Sequence, residues 1–124
     1  MSHVVELKTT EVKICDKNTL VAACRRLKLK DPVWSNVRMY NASREGWSIE
    51  LPGWKYPVIA NLEKGVIEGD NYNGRWGRVE ELTKLETAYT AELALQRARE
   101  SHRFSMIQET VQEDGTIMIE CTEY

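Results

Sequence analysis

The chain has 124 residues, a length that suits one domain, and its 42% hydrophobic and 29% charged residues exclude a disordered protein. Its net charge of −2, with the two signs interspersed, argues against a protein that coats nucleic acid. No apolar run approaches the ~20 residues of a membrane-spanning helix, and Met1-Ser2-His3-Val4 does not open a basic-then-apolar leader.

Residues 4–14 read as a strand, with Val5 and Leu7 opposite Glu6 and Lys8 and a phase slip at Thr9-Thr10 that predicts a bulge. A helix over about residues 17–28 follows, capped by Asp16 or Asn18 and burying Leu20, Ala23, Cys24 and Leu27. Asp31-Pro32 ends it, because a residue before proline is pushed out of helical geometry. Val37–Tyr40 is a short strand. Trp47, Ile49 and Leu51 alternate with polar residues, Pro52-Gly53 turns, and Tyr56–Leu62 forms a strand that either lies at an edge or meets its neighbour around Pro57, which has no N–H to donate. Val66–Glu68 follows the Glu63-Lys64-Gly65 turn.

The polar, aromatic loop 69–77 leads into a long helix over 79–102, with Leu82, Leu85, Tyr89 and Leu93 as its stripe and a Glu80–Lys84 surface pair. Phe104 and Met106 begin a strand. Asp114-Gly115 is a hairpin turn, and Ile117, Ile119 and Cys121 alternate on the return. The order β-α-β-β-β-β-α-β-β predicts an α+β single domain over 1–124, with two helices packed on one face of a largely antiparallel sheet.

The opening Met1-Ser2-His3 before an alternating strand, the short helix around Leu20–Leu27, the Tyr56–Asn61 strand, the Gly74–Gly77 turn and the Glu113-Asp114-Gly115-Thr116-Ile117 hairpin together resemble a known family. It is the small conserved reading frame of algal plastids and cyanobacteria, with bacterial and phage members, a domain of unknown function. The likeness covers most of the chain, apart from extra residues before the first helix and the 31–44 segment. It implies the fold and assigns no reaction.

Cys15, Cys24 and Cys121 are odd in number, widely spaced and form no CxxC pair, which predicts reduced thiols in a cytoplasmic protein. His3 and His102 lack the spacing of a metal site, so no metal or other cofactor is expected. No GxSxG, HExxH or GxxxxGK[ST] motif is present. Cys24 and Cys121 fall on apolar faces, as core thiols do.

The candidate ligand site is the loop 69–77, which gathers Asp70, Asn71, Tyr72, Asn73, Arg75 and Trp76 between glycines. Backbone amides beside a helix N-terminus, a planar guanidinium and stacking rings suit an anion such as a nucleotide. The competing reading is a glycine-rich connector whose Trp76 plugs the end of the core. Arg25, Arg26, Lys28 and Lys30 form a secondary basic patch, either a solvated helix end or a phosphate site. Trp34 and Trp54, beside prolines, would mark a subunit or partner interface if exposed.

The preferred functional reading is a non-enzymatic binding module for a small anionic, nucleotide-like ligand or for a protein partner. A phage member would use it to sequester a host signalling nucleotide. The alternative is a small enzyme acting on a nucleotide-like substrate through Asp70 and Glu80. A nucleic-acid adaptor is third, opposed by a pI of about 5.8. No membrane association is expected.

Overall fold

In the computed structural model, helix α1 spans Lys17–Arg26. Asp16 starts it: the backbone there is extended, and its carboxylate accepts hydrogen bonds from the Asn18 and Thr19 amides at 2.8 and 3.3 Å, relieving two of the amides that a helix start leaves unpaired. The helix stops at Arg26, well before the Asp31-Pro32 step expected to end it. Lys28 takes a left-handed φ of 60°, and the Lys28 and Leu29 amides donate to the Arg25 and Cys24 carbonyls at 3.1 and 2.9 Å. These are the paired bonds of a Schellman cap, with Leu29 packed against the core. Because a left-handed non-glycine residue is strained by about 1–2 kcal/mol, Lys28→Gly is expected to stabilise the protein by about 0.5–1 kcal/mol, part of the relief being offset by the freer unfolded chain. Urea unfolding would read this as a higher midpoint at unchanged slope.

The structure describes residues 2–6, 13–38, 43–69, 75, 77–113 and 117–124. Within them the element order is β-α-β-β-β-β-α-β-β, and the strands form two antiparallel sheets in place of the single sheet expected. Strands β2 (Val33–Arg38), β3 (Ser43–Ile49), β4 (Val58–Asn61) and β5 (Val66–Glu68) form a four-stranded meander in chain order. Strands β1 (Ser2–Glu6), β7 (Ile117–Glu123) and β6 (Phe104–Val111) form a second sheet with β7 central. Of the expected strand over 4–14, residues 4–6 belong to β1 and residues 13–16 are irregular, while 7–12, including the expected bulge, lie outside the described residues. Strand β4 is an inner strand and not an edge: Pro57 precedes its first residue and so withholds no ladder bond.

Helix α2, Val79–Ser101, is the reason for two sheets. Its 23 residues carry the chain roughly 35 Å, far from the edge at β5. The expected stripe holds at Leu85 and Tyr89, which are fully buried, while Leu82 and Leu93 are only half-buried. Burial also includes Ala91 and Leu95, six residues beyond Leu85 and Tyr89 and so turned about 240° around the axis. The helix thus faces two ways.

Its first half joins Leu20, Ala23 and Cys24 of α1 and Ile49, Val58 and Ala60 of the meander in one core. Its second half covers Ile117, Ile119 and Cys121 of β7, with Phe104 and Ile107 of β6 partly buried against them. The β6–β7 hairpin has the expected inward set, and its innermost described pair is Val111 with Ile117. The Asp114-Gly115 turn lies outside the described residues. No described helix is long and apolar enough to cross a membrane.

Candidate functional site

Of the loop singled out from sequence, Asp70, Asn71, Tyr72, Asn73 and Trp76 lie outside the described residues, and Arg75 is exposed. The two glycines that flank the loop have a visible role. A Cβ on Gly77 would sit 2.3–2.6 Å from the Trp54 indole, and one on Gly69 would meet the same ring at 3.0 Å. The Trp54 indole N–H donates to the Arg78 carbonyl at 3.0 Å. Trp54 is therefore half-buried and fastens the base of the loop to the meander core. The interface role expected of it is corrected accordingly, because its ring already has its partner within the chain. Trp34 differs: it lies on the edge strand β2, stays 56% exposed and stacks edge-on against Trp47 at 5.4 Å. Lys17 sits 4.3 Å over the Trp47 ring.

The basic cluster is largely neutralised within the chain. Arg25 pairs with Asp31 at 3.0 Å and Lys30 with Glu50 at 3.2 Å. Arg26 points inward, donating to Glu92 of α2 at 2.9 Å and forking onto both oxygens of Glu109 on β6. With three of the four cations held by carboxylates, a phosphate would have to displace them, and only the exposed Lys28 is unmatched among the described residues. Of the proposed acid–base pair, Asp70 lies outside the described residues and Glu80 faces Arg78 at 3.7 Å. Lys84 pairs with Glu81, not Glu80.

Cys15 is exposed, whereas Cys24 and Cys121 are buried and all three are free. Burial, helped by the nearby Asp31 carboxylate, pushes the Cys24 thiol up to about 11, so it is an inert core thiol at neutral pH. The described residues hold no cluster of three metal-ligating side chains.

A site that sequence reasoning did not single out lies between the last two turns of α2 and the β6–β7 hairpin. It is an open groove of about 250 Å³. Ala94 and Ala98 of α2 form one wall, and Phe104, Ile119 and Cys121 form the floor and far side. Arg97, Ser101 and Arg103 complete the lining. Arg103 donates to Glu123 at 2.7 Å and sits 5.4 Å from the Phe104 ring. Ser101 donates its hydroxyl to the Ala98 carbonyl at 2.7 Å. Arg97 is exposed and has no hydrogen-bond or ion-pair partner among the described residues.

The alanines open the groove because side chains one helical turn apart stack on one line, and a methyl leaves space where a leucine would fill it. The one clue available beforehand was the run of alanines at 88, 91, 94 and 98, which reads as helix propensity rather than as a site. Comparison with protein-family models, curated proteins and solved structures finds no match to this chain.

Proposed function

We propose that the protein is a binding module for a small anion with an apolar body, taken into the groove between α2 and the β6–β7 hairpin. The observation that supports this is Arg97, an exposed residue in the lining of an apolar groove, with no hydrogen-bond or ion-pair partner among the described residues. Such groove geometry, mostly apolar with a few oriented polar groups, is what small-ligand sites share. Holding a ligand fits the lining better than transforming one: the lining side chains are two cations, an engaged hydroxyl, a thiol and hydrocarbon.

The test uses anilinonaphthalene sulfonate, an aromatic anion that brightens in apolar surroundings. Saturable binding is expected, weakened at least about tenfold by Arg97→Ala, the low end of what a hydrogen bond to a charged group contributes. Arg97→Lys should restore only part of it, because an ammonium lacks the planar fork. Since Arg97 is exposed, the melting temperature should stay constant. Equal binding by wild type and Arg97→Ala would remove the groove as the site.

A further inference from the structure

We infer that the groove is built for an unbranched aliphatic monocarboxylate, a short- to medium-chain acyl anion, and not for a nucleotide. This deepens the reading of the groove as an anion site and rests on it. Its length follows from α2: Ala94 to Ser101 spans seven residues, or roughly 10 Å along the axis. Its breadth is set by Ala94 and Ala98 stacked one turn apart, facing Ile119 and Cys121 of β7. At about 250 Å³ it falls below the roughly 300–1,000 Å³ of sites for drug-sized ligands.

Polarity narrows the choice further. A nucleobase entering the groove would lose water from its ring nitrogens and exocyclic groups, and the side chains of Ala94, Ala98, Phe104 and Ile119 offer them nothing in return. An alkyl chain has no such groups to leave unpaired. Charge points the same way. Arg97 and Arg103 bring two positive charges, and Glu123 on Arg103 cancels one, so the lining matches one negative charge and not the several of a nucleoside polyphosphate. The C-terminal end of α2 opposes any anion with a dipole equivalent to about half a charge. The unpartnered Arg97 outweighs it.

The experiment titrates the full chain with straight-chain carboxylates of increasing length below their micelle concentrations, the matching n-alcohols, and adenosine monophosphate. Affinity is read by calorimetry. Carboxylate affinity is expected to rise roughly fourfold per methylene, the factor carried by burying one CH₂, and to level off once the groove is filled. Matched alcohols should bind at least about tenfold more weakly, and Arg97→Gln should erase that difference. Ala98→Leu, which fills the wall, should bring the plateau at a shorter chain, its melt confirming that it folds. If adenosine monophosphate binds through Arg97 and the carboxylates do not, the acyl inference is wrong and the anion site survives. If no arm binds, or Arg97→Gln and Ala98→Leu both bind as wild type does, the inference and the site fall together.

Discussion

Tyr89→Phe is expected to destabilise the protein by about 2 kcal/mol, and Tyr89→Ala by about 5 kcal/mol. Tyr89 is 1% exposed in the core shared by α1, α2 and the meander. Its hydroxyl accepts from the Cys15 and Asp16 amides at 3.1 and 3.0 Å, more than seventy residues away in the chain. Asp16 is also the residue that caps α1, so one phenol of α2 holds the start of the other helix. Phenylalanine keeps the packing and leaves two partly buried amides without their acceptor, each worth about 1–3 kcal/mol when fully desolvated and less where water reaches them. Alanine adds the transfer and cavity loss of a large aromatic, about 3–5 kcal/mol. Hydrogen exchange separates this account from mere loosening. In Tyr89→Phe the Cys15 and Asp16 amides should exchange faster while those of β7 change only with global stability. Unchanged protection at residues 15 and 16 would show that the phenol does not anchor that turn.

Arg26→Met should cost about 2–3 kcal/mol near pH 7. It removes the guanidinium that joins α1 to Glu92 of α2 and Glu109 of β6 and keeps most of the apolar stem. Breaking one side of a fully buried ion pair costs about 3–5 kcal/mol. Here the three side chains remain between 21% and 24% exposed, so water screens part of the loss.

The pH dependence has a definite sign. Hydrogen bonds from Arg26, aided by its charge, hold the Glu109 carboxyl below its ordinary value of 4.5. A carboxyl depressed in the folded state contributes stability in full above its unfolded value, and that contribution fades as pH falls through the folded one. Wild type should therefore lose more than Arg26→Met on acidification below about pH 4.5, and the gap between them should narrow. Urea midpoints measured over this range check it, and a gap that stays constant with pH would show that the Arg26–Glu109 pair adds nothing.

What sequence alone determined about this protein is the set of elements, because each rests on a short-range signal. Asp16 before an apolar-periodic run marks a helix start, and alternation of Ile117, Ile119 and Cys121 marks a strand with one dry face. Only the tertiary structure decided how many sheets those strands make, since alternation says which face of a strand is buried and nothing about which neighbour it pairs with. The two-sided burial of α2 was hidden for a related reason. Ala91, Ala94 and Ala98 carry almost no hydrophobic signal, yet their smallness lets β7 approach and leaves the groove.

The same holds for single residues. Trp54 and Arg26 look like interface and surface residues until Gly77 and Arg78 close on the ring and Glu92 and Glu109 on the guanidinium. Arg97 and Arg103, ordinary charges in the chain, come to line one groove because α2 ends where β6 turns back beneath it. Local chemistry is written in neighbouring residues, whereas a binding site depends on distances between residues that only folding brings together.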